Sequence, residues 1–116
     1  MVVLDGMTGE RARRAVAVLA RCCPVRAAFV FGSRVLGGAD EWSDLDLAAF
    51  VDGLDDWSLQ RRVRAVVQTQ KEAGDDLDVH LFPATFLRRP PPASLAAFVL
   101  EQGVSVDVPG TSTATA

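Results

Sequence analysis

The sequence predicts an α+β fold with α/β-type layers: a small β-sheet with helices packed on one face and an acidic site on the other. Three observations predict it. Helical and strand periodicities follow one another in the order helix, strand, strand, helix, strand. Two of those strands alternate acids with aliphatic residues, Asp46 between Leu45 and Leu47, and Asp78 between Leu77 and Val79, so each offers carboxylates on one side and core on the other. The length of 116 residues suffices for one core and not for two.

Residues 1–7 form a lead-in. Thr8 is the expected N-cap of a helix from Gly9 to Cys22, with Glu10 in the first turn, where the helix dipole favours an acid. Ala12, Val16, Leu19 and Ala20 recur at helical spacing, and Pro24 ends the run. Val25–Phe31, aliphatic and aromatic after a breaker, reads as a central strand. A short helix is expected over Arg34–Leu36, stopped by Gly37 and Gly38, and Ala39–Ser43 is a loop into a second strand, Leu45–Val51.

Asp52-Gly53 is a turn, and Asp56 or Ser58 caps the next helix. Its expected apolar stripe is Leu59, Val63, Val66 and Val67, and Gly74 terminates it. The third strand, Asp76–Phe82, puts Leu77, Val79 and Leu81 on one face and Asp76, Asp78 and His80 on the other. Pro83 and Pro90–Pro92 bracket an irregular segment. A last helix fits Ser94 to Gln102 with Gly103 as its stop, and Val104–Val108 reads as an edge strand. One domain, residues 1–108, is thus expected, followed by a small, polar, disordered tail at 109–116.

Composition narrows the function classes. The formal net charge of −3 argues against a general nucleic-acid binder working by phosphate neutralisation. No apolar run reaches the length of a membrane span and no secretory h-region opens the chain, so the expected location is cytoplasmic with no membrane partner. Cys22 and Cys23 are adjacent and form no C-x-x-C; they read as reduced, largely buried side chains at a helix end. Arginines cluster at Arg11/Arg13/Arg14, Arg61/Arg62/Arg64 and Arg88/Arg89, as solvated helix faces or docking surfaces for an acidic partner or a nucleotide. The sequence also allows self-association.

The informative stretch is Phe31–Leu47, FGSRVLGGADEWSDLDL. Gly32 and Ser33 leave a strand at a tight turn, where free amides and a hydroxyl can hold phosphate oxygens. Taken alone, the pair reads more readily as an ordinary tight turn. Asp44 and Asp46, two apart on a strand, share a face about 7 Å from one another. Each also has a plain reading, as a turn residue and a solvated strand residue. With Asp78 they make three acids on one predicted face, whose mutual repulsion opposes folding unless cations or distance relieve it. Together with a phosphate cradle they match a site for two divalent cations.

The pattern G-S-x-x-x-G followed by S-D-x-D-L resembles the signature of the DNA polymerase β-like nucleotidyltransferase superfamily, and the length resembles its minimal nucleotidyltransferase branch. The resemblance runs from about Arg26 to Asp107 and includes the closing FVLEQGVSV. It implies a nucleotidyltransferase fold with a small mixed sheet. It implies that Gly32, Ser33, Arg34, Gly37 and Ser43 bind the nucleotide, and that Asp44, Asp46 and Asp78 are catalytic and hold two Mg²⁺ ions. Leu36 departs from the pattern, standing where many members carry a basic residue. His80 lies on the acids' side, and Trp42 precedes the second motif.

The implied activity is magnesium-dependent transfer of AMP from ATP to a hydroxyl, with pyrophosphate leaving. The implied acceptor is a tyrosine of a helical HEPN toxin, which would make the chain an antitoxin acting by adenylylation. The chain has no tyrosine of its own to modify. Three alternatives stand beside this reading. The first is an antitoxin that works by binding alone. The second is a small-molecule nucleotidyltransferase of the aminoglycoside-modifying kind, and the third a tRNA-end modifier.

Overall fold

The computed structural model describes residues 6–32 and 44–109. Helix α1 spans Gly6–Cys22, strand β1 Val25–Phe31 and strand β2 Leu45–Val51. A 3-10 turn at Leu54–Asp56 leads into helix α2, Leu59–Ala73. Strand β3 is Leu77–Pro83, a second 3-10 turn is Ala84–Leu87, helix α3 is Leu95–Gln102 and strand β4 is Val104–Val106. The sheet order is β3-β2-β1-β4. β1 pairs antiparallel with β2 and β4, whereas β2 and β3 run parallel, as a strand pair joined by a crossover helix must. The fold is the predicted α+β class with a mixed sheet.

One face of the sheet carries the larger core. Leu45, Leu47, Ala49 and Val51 of β2, Leu77 and Val79 of β3, and Val25, Ala28 and Val30 of β1 pack with Ala12, Ala15, Val16 and Leu19 of α1 and Ala65 of α2. The second face holds a smaller aromatic core of Phe31, Ala48 and Phe50, covered by Ala96 and Val99 of α3. Phe50 is fully buried there, edge-on to Phe29 at 5.7 Å and tilted against Phe82 at 5.3 Å. Helix α3 therefore shares the acid-bearing face and fills one part of it.

Both later helices are capped by serine, α2 by the expected Ser58 and α3 by Ser94, expected as that helix's first residue. Ser58 Oγ accepts from the Arg61 N–H at 3.1 Å and Ser94 Oγ from the Ala97 N–H at 3.1 Å. Asp56 instead lies in the 3-10 turn. Helix α1 begins before the expected cap, and Thr8 is a buried residue inside it, because packing on the sheet carries the helix past a local signal. Of the two cysteines only Cys23 is buried; Cys22 is exposed at the outer side of the helix end. The short helix expected at Arg34–Leu36 and the tail from 110 lie outside the described residues.

The apolar stripe expected on α2 is corrected. Leu59 is 74% exposed, Val63 51% and Val67 41%, with Val66 half-buried. The inward side is instead Ala65 and Thr69. Two residues along a helix is about 200° around it, so Val63 and Val67 point nearly opposite to Ala65 and Thr69. Small residues face inward because α2 lies directly against α1. Thr69 tolerates burial because its hydroxyl donates to the Ala65 carbonyl at 2.9 Å. Glu72 links the two helices further, accepting from Arg21 at 2.6 Å, while its carbonyl accepts from Arg14 at 3.2 Å.

Candidate active site

The candidate site lies at the edge of the aromatic core, where β1 ends and β2 and β3 begin. In the parallel register Asp46 sits beside Asp78, and Ala48 beside His80. Asp46 also faces Phe31 on β1. One row across three strands thus runs Phe31, Asp46, Asp78. Alternation puts all of them on the face opposite Leu45, Leu47, Leu77 and Val79, which are buried in the larger core.

Donor atoms of Asp46, Asp78 and His80 all lie within 4.8 Å of one another. His80 Nε2 is 3.5 Å from Asp78 Oδ2 and 3.9 Å from Asp46 Oδ1. The imidazole is held from the side by the Phe31 ring, centroid to centroid 5.2 Å in an edge arrangement. Asp46 is the more enclosed acid, with a side chain 26% exposed against 57% for Asp78.

Burial pushes the Asp46 carboxyl above its ordinary range. The neighbouring Asp78 charge raises it further, His80 pulls it down, and the hydrogen bond with Asp78 and the charge of Asp44 raise it again. An acid so placed is held in an anionic neighbourhood, and a cation relieves it.

Gly32 closes the site on the β1 side. Its φ is +82°, a conformation that L side chains rarely adopt, and a β-carbon there would overlap the Asp46 carboxylate. The tight turn read from the sequence and the acid site are therefore one structure, with backbone packed directly on a carboxylate. The sequence signalled the turn and not the contact, since no periodicity relates residues 32 and 46.

Of the three predicted acids, Asp46 and Asp78 meet. Asp44 is exposed, just ahead of β2 and outside the close trio, near enough for its charge to act on Asp46. His80 takes the third place in the trio. Ser33, Arg34, Gly37 and Ser43, expected to bind nucleotide, lie outside the described residues, as do Leu36 and Trp42. Two carboxylates and an imidazole nitrogen, partly exposed, fit a divalent cation by the chemistry of the donor set. No described helix is long and apolar enough to cross a membrane.

No curated protein matches this chain. The fold is similar to the crystal structure of a proposed nucleotidyltransferase from Sulfolobus solfataricus, with a TM-score of 0.58 and 19% identity over 72% of this chain and 73% of that one. That likeness supports the architecture. The model of the nucleotidyltransferase domain matches residues 11–105, from α1 to the last strand and across every residue of the acidic site. With that match, the chain belongs to the nucleotidyltransferase domain family.

Proposed function

We propose that this chain transfers AMP from ATP to a hydroxyl group of a partner protein, and that the partner is a helical HEPN toxin modified on a tyrosine. The observation that carries the transferase half is the Asp46–Asp78 pair set side by side by the parallel register against the Gly32 turn. The acceptor oxygen attacks the α-phosphorus of ATP, the bond to the β-phosphate breaks, and pyrophosphate leaves. Asp78, the more exposed acid, takes the proton of the incoming hydroxyl. Asp46, Asp78 and Asp44 hold divalent cations, which supply charge neutralisation at the phosphates. Gly32 lets the turn close directly onto the Asp46 carboxylate, where a β-carbon would overlap it. Positioning and electrostatics account for most of the acceleration.

The partner half is supported by the exposed face of α2. Leu59, Val63 and Val67 line an apolar strip on a helix that also carries Arg61, Arg62 and Arg64. Among the described residues none of these arginines pairs with a carboxylate. Arg61 lies over the Trp57 ring at 3.8 Å and Arg62 donates to the Leu54 carbonyl at 3.0 Å. Of these arginines Arg62 borders the strip beside Val63 and Val67, which suits a helical partner with an acidic border.

The test is transfer of label from ATP labelled at the α-phosphate to the product of the adjacent gene, with wild type compared to Asp46→Asn and Asp78→Asn. Label on a partner tyrosine that is lost in both variants is the expected result. A stable complex without label would refute the transfer and leave an antitoxin that acts by binding. Label on a small molecule or RNA in place of protein would refute the partner.

A further inference from the structure

We propose that Asp46, Asp78 and His80 form a mixed nitrogen–oxygen cation position, with His80 Nε2 a direct ligand, that prefers Mn²⁺ to Mg²⁺. This rests on the reading of the acids as a cation site and adds to it the kind of cation.

The argument begins with the space around His80. The parallel register places it beside Ala48, which is fully buried and has no side chain beyond its β-carbon. The imidazole can therefore lean toward the row occupied by Asp46, and its Nε2 reaches within 3.9 Å of Oδ1 there and 3.5 Å of Asp78 Oδ2. The edge contact with Phe31 supports the ring from the β1 side. A ring fixed between a small neighbour and an aromatic wall presents one nitrogen to both carboxylates.

The separations suit one shared ion. Neighbouring ligands about 2.0–2.2 Å from an octahedral cation are about 2.8–3.1 Å apart. The distances of 3.5 and 3.9 Å lie beyond that range by less than an ångström, which rotation of the part-exposed side chains can close.

Donor chemistry then selects the ion. Mg²⁺ takes oxygen ligands and dehydrates reluctantly, whereas the transition divalent ions gain from an imidazole nitrogen. Mn²⁺ also accepts carboxylates and water in octahedral geometry. The competing role for His80 is a cationic partner of the two acids. A positive imidazolium would repel a metal ion, so the two roles predict opposite effects of removing the ring.

The test uses the full chain with Mn²⁺ alone and Mg²⁺ alone, measured by calorimetry and by Mn²⁺ electron paramagnetic resonance. Wild type is compared with His80→Gln, His80→Asn and Asp46→Asn, each checked for cooperative thermal unfolding and a native circular dichroism spectrum. His80 is part-exposed, with a side chain 29% accessible, so at least one replacement is expected to fold. The expected result is a weakening of Mn²⁺ binding by about tenfold or more in the His80 variants, with Mg²⁺ binding unchanged. Coupling of ¹⁴N to bound Mn²⁺ is expected in wild type and not in those variants. Unchanged or tighter Mn²⁺ binding without His80, or bound Mn²⁺ lacking nitrogen coupling, overturns the proposal. Asp46→Asn separates the two levels. If it abolishes Mn²⁺ binding while the His80 variants do not weaken it, the cation site stands and the nitrogen ligand falls. If it has no effect, the acids do not hold the ion, and both readings fall together.

Discussion

Replacing Asp46 with Asn should make the metal-free protein more stable at neutral pH. Asp46 is held above its ordinary carboxyl range by burial and by Asp78. The folded state therefore keeps the proton to a higher pH than the unfolded chain does. Below the unfolded value of 3.8 both states are protonated and the site has no cost. As pH rises through the folded value, the unfolded state ionises more readily, and stability falls until the cost is complete. Asparagine keeps the shape and cannot ionise, so the cost disappears.

The like-charge part of that cost follows from the separation. Donor atoms of Asp46 and Asp78 lie within 4.8 Å. Two like charges at that distance, in the high effective dielectric of a partly exposed pair, repel by about 1–2 kcal/mol. For a domain of this size that corresponds to a rise in Tm of about 4–8 °C. Calorimetry in a chelator at pH 7 should show it, and at pH 4 the gap should narrow. Added divalent cation should close it from the other side, by raising the wild type more than the variant. A variant less stable than wild type at pH 7, or a gap that widens in acid, would refute the electrostatic account of the site.

Gly32→Ala should destabilise the fold by about 1–3 kcal/mol, through the positive φ and the displaced Asp46 carboxylate, and should abolish transfer; chemical denaturation and the labelled-ATP assay read the two effects. At pH 8 iodoacetamide should alkylate Cys22 and spare Cys23, whose thiol is pushed up to about 11 by burial; two adducts appearing at equal rates by mass spectrometry would contradict the structure. Val63→Asp should leave stability within about 0.5 kcal/mol and weaken partner binding, measured by unfolding and by co-purification.

Strand positions and the acid face were legible in the sequence because a period of two is unambiguous when charge alternates with aliphatics. Leu77, Asp78, Val79 and His80 are the clearest case, and the structure places them as alternation requires. The inward face of α2 was not legible. Its largest apolar residues are on the outside, and the sheet-side positions are an alanine and a threonine that fit against α1. Hydrophobic periodicity weighs side-chain size and cannot sense that a neighbouring helix requires small ones. The contact between Gly32 and Asp46 was hidden for another reason: it depends on the antiparallel register of β1 and β2, a long-range property. The closeness of His80 to Asp46 was hidden likewise, because it depends on β2 and β3 being parallel.

The parallel pairing explains how a partly exposed cluster of acids is held in place at all. Nothing in the repulsion between Asp46 and Asp78 favours their adjacency, so the register must be set elsewhere. It is set by the opposite face, where Leu45, Leu47, Leu77 and Val79 are buried at the start of the same two strands. A slip of one residue would bring Asp78 and His80 into that core and expel Leu77 and Val79, and burial of each such side chain contributes about 1.5–3 kcal/mol. That exceeds the repulsion of about 1–2 kcal/mol between the acids. The site is thus built from the back: aliphatic burial under α1 and α2 forces two carboxylates together on the front, where a bound cation would relieve the repulsion the core imposes.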